Sequence, residues 1–239
     1  NRELLSSAHL ILIMALVVTI LLWLSLRRAS DVAIVVVGLV LSLMWMQGLI
    51  GWAIILGQRY GMEVIFRSQF SNLLPILVLA LGIDDSLHAL HRYKEERREG
   101  ASPELAVHTS LSRVGRAILL TSTTTIVAFM ANMTSNIAAL RSFGIEAGLG
   151  VLSAFILTGL WVPLVRYEID LLMESRGKLQ DEKEGLVHMV PESWLAAVTT
   201  NSARHAPVVV ALAILITAVA VPMMLSLEGD FQVEDFIES

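Results

Sequence analysis

The chain has 239 residues, of which 55% are hydrophobic and 16% are charged, and its mean hydropathy is +0.70. Soluble domains carry about 25% charged residues, so this composition excludes an ordinary soluble domain and is typical of a polytopic membrane protein. Cysteine is absent, which excludes disulfides and thiolate metal sites. The net charge of −5 is less informative than the positions of the charges.

Long apolar segments are the main feature in chain order. A helix that crosses a bilayer needs about 20 apolar residues, and its backbone must satisfy its own hydrogen bonds. Six segments meet or approach this length, at residues 8–26, 32–57, 70–91, 114–135, 143–165 and 207–226. We therefore predict an all-α polytopic membrane protein with six transmembrane helices. Core helices of a soluble protein are the alternative, which six such segments in a short chain disfavour.

Several residues predict where helices begin, bend and end. Asp31 is expected to cap the second span, and Pro75 is expected to kink the third. Gly100 ends the charged helix that follows the third span. Ser102 is then predicted to cap a new helix, with Pro103 at its first position.

The segment between the fifth and sixth spans is polar. Residues 166–190 are mixed in charge and predict a solvated linker. Residues 191–207 predict a short amphipathic helix with Trp194, Leu195 and Val198 on one face, which we expect to lie on the membrane surface.

Lysine and arginine residues predict the orientation, because they are enriched in cytoplasmic loops. If Arg27 and Arg28 lie in the cytoplasm, the loops after the third and fifth spans lie there too. That side then holds 13 of the 17 Lys and Arg residues. We therefore expect a multi-pass protein of the plasma (inner) membrane, with both ends of this chain on the external side.

Two adjacent acids, Asp84 and Asp85, lie in the third span about two turns before its predicted cytoplasmic end. A charged residue at the centre of a membrane helix costs about 2.5–3.5 kcal/mol on insertion scales. The apolar pattern continues through Leu87 and Leu90, which disfavours an early helix end with both acids among the lipid headgroups. We expect the pair to face the bundle interior and to bind a proton or another cation, since burial and a second carboxylate both favour the protonated form.

The fourth span places hydroxyl groups at the predicted depth of the acids: Thr121, Thr123, Thr124 and Thr125. These hydroxyls either support the acids or bond to their own backbone, and the residues alone leave both readings open. His88 and His91 follow the acids, either as a proton path to the cytoplasm or as interfacial residues. A metal site is disfavoured, because Asp85 and His88 share a face without a further ligand set.

Small residues and one more acid mark the fifth span. Gly144 and Gly148 predict that neighbouring helices approach closely there. Glu146 lies near the predicted outer end of this span, and we expect it to pair with Arg141.

Three linked motifs carry a resemblance to a known family: GIDDSLHALHRYKEERREG, AVHTSLSRVGRAILLTSTTTIVAFMAN and LRSFGIEAGLGVLSAFI. This block, residues 72–164, resembles the resistance–nodulation–division (RND) superfamily. The most similar branch holds the mycobacterial large membrane-protein (MMPL) exporters, hopanoid exporters, Patched and Dispatched. In that family a Gly-x-Asp-Asp or Gly-x-Asp-Tyr element forms the proton or cation relay. The resemblance thus assigns the relay to Asp84 and Asp85, with Gly82 beside them. Ala80 departs from the pattern, where many relatives have a further glycine.

The resemblance also implies how the chain is organised. Family members are similar to two fused halves, each with one helix, a large external domain and five further helices. The five-helix unit is called a sterol-sensing domain in sterol-handling proteins. This chain is then expected to be a fragment from helix two to helix seven. Its parts are a five-helix bundle at 1–165, a cytoplasmic linker with an interfacial helix at 166–206, the first helix of the second half at 207–226, and the start of an external domain at 227–239.

The function that this pattern favours is a secondary exporter of lipids or hydrophobic molecules, with a proton or sodium as coupling ion and no other cofactor. Its expected partners are membrane lipids, the hydrophobic substrate and the remaining half of the transporter with its external domains, and not nucleic acid. A sodium-coupled exporter and a lipid- or sterol-sensing or scaffold module without transport remain open. An enzyme is disfavoured: an intramembrane aspartyl protease needs acids on facing helices, and no glycine loop predicts ATP use.

Overall fold

The computed structural model describes residues 17–61, 65–177 and 205–225, and among these no strand is present. The α-helices are α1 Val17–Leu26, α2 Ala29–Arg59, α3 Leu74–Arg98, α4 Pro103–Ser110, α5 Arg116–Met130, α6 Ala138–Ala154, α7 Val162–Ser175 and α8 Ala206–Leu225. Short 3₁₀ turns lie at Gln69–Leu73 and Ala131–Thr134, and π-helical segments lie at Leu111–Gly115 and Phe155–Trp161.

Four helical stretches are long and apolar enough to cross a membrane, judged by length and composition: Ala29–Arg59, Gln69–Arg98, Pro103–Thr134 and Ala138–Ser175. α1 is a shorter apolar helix over its described part, and α8 has 20 residues that match the sixth predicted segment. The prediction of an all-α polytopic membrane protein is confirmed, and the number of six spans stays a prediction.

The start of α4 follows the local signals in the sequence. The Ser102 hydroxyl accepts the backbone N–H of Leu105 at 3.3 Å, and Pro103 occupies the first turn. Gly100 has a φ of +89°, the left-handed conformation that glycine adopts readily after a helix end. These three predictions are confirmed, because each depends on residues that are close in sequence.

Two predictions about helix starts are wrong. Pro75 lies in the first turn of α3, where its missing N–H has no helical partner to lose, so it begins this helix rather than kinking it. The N-cap of α2 is Arg28, and Asp31 lies inside the first turn with a completely buried side chain.

The linker expected from residue 166 is also wrong over its first ten residues, which continue α7 to Ser175. Arg166 and Asp170 are buried there, because each contacts opposite charges within the bundle. The predicted amphipathic helix at 191–207 lies almost wholly outside the described residues, as does the segment 227–239.

The chain divides into two compact units, Asn1–Val187 and His188–Ser239, of which the first holds α1–α7 and the second holds α8. In the first unit, α2, α3 and α6 pack against one another. One apolar cluster includes Leu22, Leu26, Val35, Leu39, Leu90 and Val162. A second includes Met46, Ile50, Leu74, Val78, Ala147 and Ala154. These clusters fix α3 among its neighbours over most of its length.

α6 approaches α5 closely, as the glycine pattern predicts. A Cβ atom added at Gly144 would lie 2.5 Å from the backbone oxygen of Phe129, whereas one at Gly148 would meet its nearest neighbour, the Met130 sulfur, at 3.6 Å. Only the first of the two glycines is therefore required by a backbone contact.

Candidate functional site

The two predicted relay acids lie in the middle of α3. Adjacent helical residues point about 100° apart, so Asp84 and Asp85 have different surroundings. The Asp84 side chain is 72% exposed, and its Oδ1 lies 3.3 Å from Nε2 of His88, which is 67% exposed. Asp85 is half-buried. The expectation that both acids face the bundle interior is therefore wrong for Asp84 within the described part of the chain.

Asp84 belongs to a stripe along α3 that the other described residues leave exposed. Residues spaced by four share one face of a helix, and the exposed positions here are Ile76, Ala80, Asp84 and His88. We call this face the open stripe. It presents a carboxylate and an imidazole next to apolar surface.

The buried side of α3 at the same height packs against the π-helical segment 155–161. A Cβ atom at Gly82 would lie 2.8 Å from Cδ2 of Leu39 and 3.0 Å from Cγ2 of Thr158. The buried Ser86 hydroxyl donates to the Thr158 carbonyl over 3.5 Å. π-helical turns occur frequently at functional sites. Gly82 thus allows α2 and the π segment to pack against the part of α3 that carries the acids.

The threonine hydroxyls of α5 bond within their own helix. Thr121, Thr124 and Thr125 each donate to a carbonyl three or four residues earlier, at 2.7–3.2 Å. In the described part of the chain, neither these residues nor Thr123 hydrogen-bonds to the acids, and α5 packs on α6 rather than closely on α3. Of the two readings left open by the sequence, the structure favours backbone bonding.

The two histidines have different neighbours. His88 contacts Asp84, whereas Nε2 of His91 lies 3.2 Å from the hydroxyl oxygen of Ser25 in α1. They do not form one continuous path among the described residues.

A second group of charges lies at the end of the bundle where α2 begins and where α3 and α7 approach their C-termini. We call it the ionic network, and its members are Asp31, Tyr93, Lys94, Arg97, Arg166, Asp170 and Glu174.

Asp31 is the buried centre of one half of this network. Its Oδ2 lies 2.5 Å from Nζ of Lys94, and its Oδ1 lies 3.2 Å from Nε of Arg166. Lys94 also donates to the Leu26 carbonyl at 2.9 Å, at the end of α1. Asp31 and Arg166 are completely buried, and Lys94 is 3% exposed. This half therefore ties α1, α2, α3 and α7 together.

Asp170 is the centre of the other half. Its Oδ1 lies 3.0 Å from Nη2 of Arg166, and its Oδ2 accepts the Tyr93 hydroxyl at 2.8 Å. Arg97 lies 3.8 Å from Asp170 and 2.5 Å from Glu174. The network balances three acids against three bases, as burial of ionised groups requires, since an unpaired buried ion costs several kcal/mol.

The sequence contains one signal for this network, and a hydropathy profile does not show it. Arg166, Asp170 and Glu174 recur every four residues, the spacing at which helical side chains pair. The partners Asp31 and Lys94 are far away in sequence, so no local pattern points to them.

A comparison with family models shows which family the chain belongs to. Residues 7–163 match the model described as Patched SSD, the sterol-sensing-domain part of Patched. The chain belongs to the Patched family. The predicted RND, MMPL and Patched branch is thereby confirmed.

Individual relatives agree with the Patched-family assignment. The chain is 32% identical to Patched homolog 3 of Caenorhabditis elegans over 157 residues, which are 65% of this chain and 11% of that protein. It is 34% identical to Dispatched homolog 1 of Mus musculus over 109 residues, 43% of this chain and 7% of that protein. It is 26% identical to the probable transport protein MmpL11 of Mycobacterium bovis over 196 residues, 79% of this chain and 19% of that protein. The chain thus spans less than a fifth of these relatives.

Proposed function

We propose that the chain is the transmembrane part of an RND-type secondary exporter of lipids or hydrophobic molecules, in which Asp84 and Asp85 bind the coupling proton. The observation that carries this proposal is the absence of a Lys or Arg partner for either acid among the described residues. Among these residues Asp84 forms an ion pair with His88, whereas Asp31 and Asp170 have Lys or Arg partners. Acids without a cationic partner in an apolar helix favour proton binding.

The coupling step is the binding of a proton by the pair and its release on the other side of the membrane. Moving one elementary charge across 100 mV is worth about 2.3 kcal/mol, which is enough to bias two conformations of a helix bundle. Gly82 supports the pair by keeping α3 against α2 and the π segment.

The open stripe is the surface on which we place the remaining half of the transporter. A carboxylate facing lipid is costly, and the relatives extend far beyond the aligned part of this chain. A second half packed there covers Asp84, and its external domains supply the contacts that select a hydrophobic substrate. The threonines of α5 take no direct part in this scheme.

The proposed location is the plasma (inner) membrane, with the ionic network on the cytoplasmic side. The excess of Lys and Arg on that side supports this orientation, and both ends of the chain then lie outside.

The experiment is the double variant Asp84→Asn with Asp85→Asn in the full-length protein, reconstituted in proteoliposomes with an imposed proton gradient. We expect the flux of a fluorescent lipid to fall to the level of empty liposomes, while the variant stays folded and monodisperse. Glu95→Gln is the matched control, since it removes an exposed acid from the same helix and leaves the flux unchanged. Undiminished flux in the double variant contradicts the proposal. Replacing the proton gradient by a sodium gradient decides between the two coupling ions.

A lipid- or sterol-sensing module without transport is the second candidate, and the match to the Patched SSD model favours it. It requires the same fold without a working relay. Specific sterol binding to the full-length protein, with no proton flux in the same liposomes, selects this alternative.

A further inference from the structure

Glu146 is a buried acid that the proposed relay does not use. It lies in α6 at the end of the bundle opposite the ionic network, and only 1% of the residue is exposed. The pairing with Arg141 expected from the sequence does not occur, since Arg141 is exposed and makes no ion pair with Glu146 in the described part of the chain. Ionised acids are almost never fully buried without a cationic partner.

The contact that Glu146 makes is with the hydroxyl of Ser142, one turn earlier in α6. The Ser142 oxygen lies 2.8 Å from Oε1 of Glu146 and 2.7 Å from the carbonyl oxygen of Phe66, and it accepts the Phe66 N–H at 2.9 Å. Phe66 belongs to the short segment 65–68 that leads into α3. The Ser142 hydroxyl oxygen therefore lies within hydrogen-bond distance of three polar atoms.

The number of protons at this hydroxyl decides the state of Glu146. A serine hydroxyl has one proton to donate and two lone pairs to accept with, so it cannot donate to Phe66 and to Glu146 at once. If Glu146 is ionised, one of the two oxygen–oxygen contacts has no proton. If Glu146 is protonated, its O–H donates to Ser142, and the Ser142 O–H donates to Phe66. Only the second assignment places a proton in each of the three contacts.

The charged groups on the elements around α6 do not alter this assignment. α6 packs against α2, α3, α5, the two 3₁₀ turns and the π segment 155–161. The 3₁₀ turns and the π segment contain no titratable residue. On α2, Asp31 belongs to the ionic network and Arg59 is exposed, and on α5 the single charge, Arg116, is exposed at the far end. Arg67, beside Phe66, donates to Gln47 at 2.5 Å.

The titratable groups of α3 lie deeper in the bundle. A Cβ atom at Gly150, one turn beyond Glu146, would meet Val78 at 2.8 Å, so Glu146 is level with the first turn of α3. Asp84 and Asp85 lie ten or more residues further along α3, and the others follow them: His88, His91, Arg92, Tyr93, Lys94, Glu95, Glu96, Arg97 and Arg98. None of them makes an ion pair with Glu146.

We propose that Glu146 is a second proton-binding site, separate from Asp84 and Asp85, whose proton couples α6 to the segment entering α3. When Glu146 releases its proton to water, the Ser142 hydroxyl turns its own proton from the Phe66 carbonyl to the new carboxylate. The link between Ser142 and Phe66 then keeps only the Phe66 N–H. No other bond changes, and no co-reactant is needed.

The test is infrared difference spectroscopy of the full-length protein in nanodiscs, which records the carbonyl stretching band of protonated carboxylic acids. All spectra use the Asp84→Asn, Asp85→Asn background, so that those two acids do not contribute. We expect Glu146→Gln to lose one such band and Glu168→Gln, which removes an exposed acid of α7, to keep it. Ser142→Ala is expected to shift the band to higher wavenumber, because Glu146 loses its hydrogen-bond partner.

A folded Glu146→Gln variant whose spectrum is unchanged overturns the proposal. If that variant does not fold, an unshifted band in Ser142→Ala overturns it instead. Hydrogen exchange tests the coupling: with one of its two hydrogen bonds to Ser142 lost, the segment 65–68 should open more readily and exchange faster over the pH range in which the band disappears. This change should not occur in Glu146→Gln, whose amide N–H still donates to Ser142. Equal loss in both proteins contradicts the coupling. If transport is undiminished in the Asp84→Asn, Asp85→Asn variant, the proposed relay is refuted. The infrared band of Glu146 is expected to remain in that case.

Discussion

Single residues show two kinds of buried or half-buried acid in this bundle. Asp31 is completely buried and contacts two cations, Lys94 and Arg166, so its charge is compensated inside the protein. Asp85 is half-buried and forms no ion pair with Lys or Arg within the described residues. The first kind joins helices through paired charges, and the second is the kind to which we assign proton binding in the proposed function.

Removing one cation from the ionic network tests this distinction. Replacing Arg166 by Met leaves Asp31 and Asp170 with fewer partners in a buried site, and breaking a buried pair in this way costs about 3–5 kcal/mol. We expect the free energy of unfolding in mild detergent to fall by that amount. Glu95→Gln is the control, since this acid pairs with Arg92 and is 56% exposed, and such exposed pairs contribute about 1 kcal/mol or less. Equal effects of the two changes contradict the assignment.

Residue-level prediction from the sequence succeeded where the partner is local. Ser102 caps α4 through the N–H of Leu105, three residues away. A sequence motif is long enough to include both residues. Asp31 has the residue type and position of a helix cap, but its partners lie on α3 and α7, far along the chain. A hydrophilic residue beside a helix start does not reveal such contacts, so both the ionic network and the Glu146 site required the structure.

α5 and α6 approach each other at Gly144 with no room for a side chain. Gly144→Ala would place a Cβ atom 2.5 Å from the Phe129 backbone oxygen, and backbone cannot move aside as a side chain can. Overpacking of this kind costs about 1–3 kcal/mol, so we expect a lower thermal midpoint for the purified protein. Gly48→Ala in α2 is the matched control, because nothing lies within 4 Å of its added Cβ. A Gly144 variant as stable as the Gly48 variant contradicts the close approach.

Among the helices, hydropathy predicted which segments are helical but not how far they extend. The apolar pattern of the fifth span ends near residue 165, and the charges that follow predict a linker. α7 nevertheless continues to Ser175, because Arg166 and Asp170 are neutralised by residues of α2 and α3. In the sequence, charged residues mark the end of an apolar segment. In the folded bundle, the helix continues through charged residues that are paired.

The proposed orientation rests on the positions of the basic residues, and cysteine labelling in intact cells checks it. The chain contains no cysteine, so single substitutions report their own positions. Glu99 and Asn136 are exposed in loops on either side of the helical stretch Pro103–Thr134. We expect a membrane-impermeant maleimide to label Asn136→Cys from outside and to leave Glu99→Cys unlabelled until the cells are opened. The reverse pattern contradicts the orientation.

The length of α3 has a mechanical consequence. It is one unbroken helix of 25 residues, and Asp85 and Lys94 are nine residues apart, which is about 13.5 Å along its axis. A continuous helix rotates as one body, so α3 cannot rotate at Asp85 without also rotating at Lys94. Any rotation of α3 that changes the surroundings of Asp84 and Asp85 therefore moves Lys94 away from Asp31. The strength of the Lys94–Asp31 ion pair limits how far α3 can rotate.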